Sequence, residues 1–481
     1  MKKLQCFVLF AAILLASCGE SAVTSDTAAA DTTEAAVTTE NLYTDLGTHD
    51  YEGRTFTIAY CKSQLGDMWP YESLEENGEV VNDAVWKRDA GIEEKFNADI
   101  VWYDTNGQEN VASVMQTDIM AGDNAYDLGI GHMFSGVNAL IEAGGLYDFN
   151  KLPVVDFDKP WWAQNLPDTL EVDGILLMHV SDLVYTFSDC IYFSKDMLAD
   201  YDDLPAPYEL VKSGKWTWDV LTEMAKAVSS DLNGDSTFDE KDRYGYTMSS
   251  NTYVDSNWIY ANGMTIATMK NGEISLDNVM SERMVSTLEM MYELVHGGNH
   301  TYIAPGNDKE DLNDLKLFLD GQALFHENIT TFLPQMRDTA VDFGIVPVPK
   351  FDEAQENYYT MATTQMMMVP STAADPDFTG LMLEALAMES HRLVRPAVYE
   401  TSFSAKYLRD ETSFEMYNII RDSAVYDFNW NFGSGNKFAG IMADLVRNGT
   451  PDMLASYYEA NKEAVMTTLA DVLEQIRAAG A

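Results

Sequence analysis

Between Arg54 and His132 the chain switches back and forth between two hydrophobic periods, and few folds accept that pattern. Arg54-Thr-Phe-Thr-Ile-Ala-Tyr60 alternates like a strand and runs into a polar loop from Cys61 to Tyr71. Asn82 to Phe96 sets Val85, Trp86, Ile92 and Phe96 at helical spacing, and Ala98-Asp-Ile-Val-Trp102 returns to a strand. Val111 to Ala121 reads as a second helix, and Tyr126-Asp-Leu-Gly-Ile-Gly131 as a buried strand ending at His132. Strand, helix, strand, helix, strand predicts an α/β lobe with a largely parallel sheet. Ligands in such sheets bind beyond the carboxyl ends of strands, here Cys61–Trp69 and Gly131–Met133. From Thr48 onward about 430 residues exceed what one core holds, so two lobes are predicted.

The amino-terminal segment reads differently. Met1-Lys2-Lys3 is basic, Leu4 to Ala16 is almost wholly apolar, and small residues follow, the pattern of a secretory signal peptide over residues 1–17. The apolar run is shorter than the ~20 residues of a spanning helix. Leu15-Ala16-Ser17-Cys18 resembles the lipobox of bacterial lipoproteins, which implies cleavage before Cys18 and a diacylglycerol on its sulfur. Residues 18–47 would then form a lipidated, disordered tether. Ser21 to Glu40 has no aromatic and only two valines, too little apolar surface to offset the entropy of ordering. The expected location is extracytoplasmic, lipid-anchored to the cell membrane.

Acidic residues number 77 against 30 basic, a formal charge of −47. Nucleic acid and anionic lipid repel such a surface, which excludes nucleic acid as a partner and leaves neutral or cationic ones. Of four cysteines, Cys6 leaves with the signal and Cys18 takes lipid. Sequence leaves open whether Cys61 and Cys190 pair, with buried free thiols the favoured expectation.

Further blocks carry a family likeness: Tyr126-Asp-Leu128, Ala143-Gly-Gly-Leu-Tyr-Asp148, Asp173-Gly-Ile-Leu-Leu-Met178, Ile191-Tyr-Phe-Ser-Lys-Asp-Met-Leu198, Trp218-Asp-Val-Leu221, Tyr244-Gly-Tyr246, Phe318-Leu-Asp-Gly-Gln-Ala-Leu-Phe325, Phe343-Gly-Ile-Val-Pro-Val-Pro349 and Gln365 to Pro370. In this order, over nearly the whole body, they resemble the extracellular solute-binding proteins of ABC importers, particularly the carbohydrate receptors related to maltose-binding protein. The resemblance implies an α/β, two-lobed, periplasmic-binding-protein-like fold with a hinge between the lobes and a ligand cleft at their interface. Residues 48–185 and 370–395 would make the first lobe, and 186–369 and 396–481 the second.

One motif stands apart. Asp231, Asn233, Asp235, Asp239 and Asp242 fall at positions 1, 3, 5, 9 and 12 of a calcium loop, with Thr237 offering its carbonyl at position 7. The pattern is that of an EF-hand with aspartate last, as in dockerin loops, and predicts a structural Ca2+ over residues 231–242. Ser236 departs from the glycine that the sharp turn favours. An Asx-rich surface turn is the bland alternative.

Catalytic patterns are thin. His296-Gly-Gly-Asn-His300 has metal-like spacing, but two glycines between the imidazoles make it a loop or helix end. There is no Gly-x-Ser-x-Gly, His-Glu-x-x-His or phosphate loop, so no enzyme is predicted and no catalytic residue is assigned. A sugar has apolar C–H faces and a belt of hydroxyls, which calls for aromatic platforms and polar neighbours. Trp86, Trp102, Trp216 and Trp218 read as packing, whereas Trp69 and Trp161-Trp162 sit in polar or proline-flanked loops. Trp258 and Trp430 are the stacking candidates. By position in the family the polar set is Lys62, Ser63 and Trp69 after the first strand and His132 after the Asp127 strand. Asp182 and Asp189 lie at the crossing, Asn251 and Tyr253 lie before Ala261, and Glu327 and Asn328 end a second-lobe strand.

The expectation is thus a monomeric, lipid-anchored receptor delivering a carbohydrate, an oligosaccharide, to ABC transporter permease subunits. The rivals are the same receptor class for a peptide or polyamine, a glycan-active enzyme, and a cell-surface scaffold.

Overall fold

The computed structural model of the chain describes residues 42–62, 70–107, 110–132, 136–250, 252–270, 272–304, 313–433 and 436–480. β1 (Arg54–Tyr60) lies between β2 (Ala98–Asp104) and β3 (Leu128–His132), parallel to both. The helices Val80–Phe96 and Asn110–Ala121 connect them, as the alternating periods predict. The second helix approaches β3 closely because Gly129 has no side chain: a Cβ there would fall 2.0 Å from Met115 Sδ.

The next strand, β4 (Thr186–Ser194), opens the other half of the sheet. β5 (Tyr244–Ser249) follows, and then a hairpin, β6 (Thr268–Lys270) and β7 (Glu273–Ser275), which stands apart as a two-stranded sheet. β8 (Thr301–Ala304), β9 (Ala323–Ile329) and β10 (Phe343–Pro347) complete this half. β5 runs parallel to β8 and β9, while β9 and β10 flank β4 antiparallel. β11 (Thr360–Met368) returns to the first half, and the short β12 (Ala424–Val425) pairs with its start.

β4 and β11 are the crossings. In β11, Gln365–Met368 pair with β3, whereas Ala362–Thr364 pair with Ser188–Thr186 of β4. In β4, Asp189–Phe193 pair instead with β9. Each strand therefore leaves one half and enters the other within a few residues, and the sheet runs β2-β1-β3-β11-β4-β9-β5-β8. His132 ends opposite Gln365 and Ile329 opposite Asp189, so the carboxyl ends of β3 and β9 flank the crossing from either side.

Several tryptophans have deeper places than loop composition indicates. Trp161 and Trp162 are buried, both donating indole N–H bonds to the Glu384 carboxylate at 3.1 and 3.0 Å. Glu384 comes from the helix Pro376–Glu389, 222 residues away, so nothing local announces the partner. Trp216 and Trp218 are buried as predicted. No disulfide joins Cys61 and Cys190, which are both buried. Among the described residues no helix is long and apolar enough to cross a membrane.

Candidate functional site

Where the two halves meet, the structure brings three of the sequence candidates together. His132 ends β3, Tyr253 sits in the first turn of the helix Thr252–Ala261 after β5, and Trp430 lies on the short helix Phe428–Phe432. The His132 and Tyr253 rings are 6.4 Å apart and the Tyr253 and Trp430 rings 5.7 Å, both edge to face, and Trp430 is itself buried in this arrangement, its ring also meeting Tyr260 at 6.5 Å. The row thus spans from one half to the other. Asp427 caps the Trp430 helix through the Trp430 amide at 2.8 Å and also accepts the Ile266 amide at 2.7 Å, which fixes that helix to the second half. Burial pushes the His132 imidazole down to about 4, so the ring is neutral at physiological pH. Asn138, on the first-half helix Val137–Glu142, donates to the Phe432 carbonyl at 2.7 Å and ties the same edge together.

Four more candidates gather behind this row, not in it. Asp189, Trp258 and Glu327 are fully buried between the helix Thr252–Ala261 and the sheet, with Asn328 nearly so. The expectation of a stacking face at Trp258 is corrected: its indole donates to Glu327 Oε2 at 3.2 Å and meets Trp218 edge-on at 6.4 Å. Trp258 follows Tyr253 by five residues, about 140° round the helix, so its indole points away from the ring row. Tyr246 also bonds Glu327, yet Glu327 Oε1 and both Asp189 oxygens have no hydrogen-bond partner among the described residues. Burial lifts the Glu327 carboxyl to about 8, against the pull of the Tyr246 and Trp258 bonds. Burial, then the Glu327 charge, holds Asp189 well above the usual carboxylate range. Asp255 is raised to about 7 by burial although Arg447 Nη2 comes within 3.0 Å; the pair is close but not aligned as a hydrogen bond. Sequence reading missed Asn257, whose Oδ1 accepts the Met361 amide at 2.8 Å and so joins this helix to the crossing strand.

The bacterial extracellular solute-binding protein family profile matches residues 71–387. The chain belongs to that family. Its fold is shared with a cyclo/maltodextrin-binding protein solved with maltotetraose, at 14% identity over 88% of this chain and 97% of the other, TM-score 0.56. It is shared with the GacH receptor of Streptomyces glaucescens GLA.O, solved unliganded and with acarbose, at 14% identity over 86% and 99%, TM-score 0.54. The maltose-maltodextrin binding protein of Alicyclobacillus acidocaldarius is similar at 15% identity over 88% and 100%, TM-score 0.50. None of the curated proteins matches the chain by sequence. The two halves of the sheet are accordingly the two lobes of a solute-binding protein, and β4 and β11 belong to its hinge.

In this solute-binding protein the remaining candidates are scattered. Lys62 is exposed just past β1, its amide on Asp104 at 3.2 Å. Asp182 is set apart from the ring row: its carboxylate bonds His391 and lies 3.4 Å from Arg395. Ser63, Trp69, Asn251 and the lipidation candidate Cys18 lie outside the described residues.

The loop 231–242 closes on itself through paired Ser230–Arg243 backbone bonds of 3.1 and 3.0 Å. Ser236 takes φ 67°, the left-handed backbone for which the loop pattern favours glycine. Asp231 accepts the Gly234 and Ser236 amides at 2.6 and 2.8 Å, and Asp242 accepts those of Leu232 and Asp239, both at 2.9 Å. The oxygen donor set is the hard type calcium takes. Among the described residues, however, no three His, Cys, Asp or Glu side chains already converge in a metal-holding group.

Proposed function

We propose that this protein is a lipid-anchored receptor that captures a carbohydrate, an oligosaccharide, and delivers it to the permease subunits of an ABC importer. The observation that carries the reading is the His132–Tyr253–Trp430 row, which sets a neutral imidazole and two aromatic rings across the junction of the lobes. Sugar C–H faces pack on such rings once the lobes part, and a neutral imidazole suits an uncharged ligand. Two neighbours of the same fold were solved with maltotetraose or acarbose, which makes these the first ligands to try. Binding would draw the lobes together on the sugar.

Titration calorimetry with maltotetraose at low and high salt tests this. A neutral sugar binds with little salt dependence, and Trp430→Ala should remove on the order of 1–3 kcal/mol of binding. The formal charge of −47 favours a cationic peptide or polyamine instead. Such a ligand would lose affinity steeply with salt, since screening acts over about 8–10 Å. Release of cleaved sugar would point to a glycan-active enzyme.

The anchor rests on Leu15-Ala16-Ser17-Cys18. Cys18→Ala should move the protein from the membrane to the soluble fraction, and unchanged partitioning would refute the anchor. Calcium at 231–242 is supported by donor spacing and by the Ser236 turn. Asp231, Asn233, Asp235, Asp239 and Asp242 would hold it with the Thr237 carbonyl, as a structural tie. EDTA should then lower the melting temperature by mass action, and a melting temperature indifferent to EDTA and calcium would rule it out.

A further inference from the structure

The lobes are joined at a place that neither crossing strand explains. The C-terminal helix Leu454–Gly480 buries Val465, Leu469, Val472, Leu473 and Ile476 along one side. It packs on the helix Phe428–Phe432 and on β7 of the second lobe, and on the helix Val137–Glu142 of the first. In its last turn Arg477 reaches both lobes at once. Nε donates to Asp173 Oδ2 at 2.7 Å, and Nη2 donates to the Gly272 carbonyl in the turn of the β6–β7 hairpin at 2.5 Å. Asp173 belongs to the first lobe: its turn, Val172 to Ile175, is followed by Leu176, whose carbonyl accepts the Phe149 amide at 2.8 Å. Two more contacts dock the helix end there. Lys151 Nζ donates to the Gly480 carbonyl at 3.0 Å, and Gly480 lies so close to Ile175 that a Cβ would fall 2.2 Å from its Cδ1.

We propose that the C-terminal helix is a strap across the two lobes, with Arg477 as its clasp, that sets the balance between open and closed forms. The idea rests on the receptor reading above, in which the lobes part to admit a ligand and close on it. A hinge alone leaves that balance to the crossing strands, whereas a contact across the lobes adds free energy to the arrangement in which it forms. Here that arrangement also holds His132 against Tyr253 and Asn138 against Phe432, so the strap favours closure. The clasp is built to release. The Arg477 and Asp173 side chains keep 27% and 53% of their exposure, and ion pairs so placed are weak and screened by salt. Ligand affinity scales with the fraction of protein already competent to bind, so a weaker strap lowers it without touching the site.

Hydrogen exchange on the unliganded full-length protein, with maltotetraose titrations alongside, tests the strap. Arg477→Glu should speed exchange at 128–132 and 253–258, far from the substitution, and weaken maltotetraose on the order of two- to tenfold. Pairing it with Asp173→Lys should restore both readouts in part, since the swapped ion pair re-forms while the bond to the Gly272 carbonyl does not. The milder Asp173→Asn keeps a residue tolerant of the φ of 51° found there and should shift both in the same direction, by less. Faster exchange confined to 172–176 and 272–276, with the cleft segments unchanged, would overturn the strap and leave Arg477 a local tie. Should maltotetraose fail to bind the unmodified protein, the sugar reading is what suffers, and the exchange data alone decide the strap.

Discussion

On the first lobe's side of the cleft, His132 stands at the end of a strand whose neighbours are apolar: Gly129 against Met115, and Gly131 against Met368 and Val111. On the second lobe's side, Tyr253 stands on a helix that carries Asp255 and covers Asp189 and Glu327, all three fully buried. The first wall is therefore held by shape and the second by protons. A packed apolar strand answers to volume and, its end residue His132 apart, is indifferent to pH, while a layer of buried carboxyls is stable only while it keeps its protons. Two walls facing one another can thus be disturbed separately, by size on one side and by acidity on the other.

The largest effect should come from the carboxyl layer. Glu327 titrates near 8 in the folded chain, against 4.5 for an ordinary glutamate. Between those values the folded chain keeps a proton that the unfolded chain has lost, so stability is fully present below about 4.5 and drains away as pH rises through 8. Asp255, near 7, and Asp427, near 6, act in the same direction. Glu327→Gln should remove its share, on the order of 2–4 kcal/mol at pH 8, and flatten the denaturation curve between pH 5 and 8. An unchanged pH slope in this variant would break the contrast between the walls.

Next in size is the apolar wall. Gly129→Ala forces a methyl into Met115, whose sulfur lies 2.0 Å from the new Cβ position. Overpacking of this kind costs about 1–3 kcal/mol. The loss should be the same at pH 5 and pH 8, measured by urea denaturation at both. A pH-dependent loss would mean that the first wall shares the second wall's chemistry.

The contrast was only half legible in the sequence. Period and chain order gave the parallel β1–β2–β3 unit, and strand ends gave His132, since in such sheets the residue after a strand's carboxyl end faces the ligand side. Tyr253 came from its position in the family resemblance, and Trp430 from an aromatic-rich stretch that the structure buries. What the sequence could not carry is which way a polar or aromatic side chain turns once a helix lands on a sheet. Glu327 and Asp189 look like any polar strand end until the helix Thr252–Ala261 covers them, and Trp258 looks like any exposed indole until that helix lands on the sheet. Asp182 likewise acquires its role from His391 and Arg395, which arrive more than 200 residues later in a stretch of π-helical turns.

The smallest effect, and the sharpest test of the difference, belongs to His132. Burial lowers its imidazole from 6.5 to about 4. Between these values the unfolded chain holds a proton that the folded chain does not, so this residue's contribution is lost as pH falls from 6.5 toward 4, opposite in sign to Glu327. His179, His300 and His326 are lowered too, so the whole protein's acid limb mixes several imidazoles and only a single variant isolates this one. His132→Phe keeps an aromatic ring beside Tyr253 and should gain on the order of 1 kcal/mol at pH 4.5, discounted for the ring's partial exposure, with no gain at pH 8. Because the ring is neutral above pH 5.5, maltotetraose affinity of the unmodified protein should stay flat from there to pH 8. An affinity that climbs below pH 6.5 would mean that His132 meets its ligand charged, and the site would then suit an anion better than a neutral sugar.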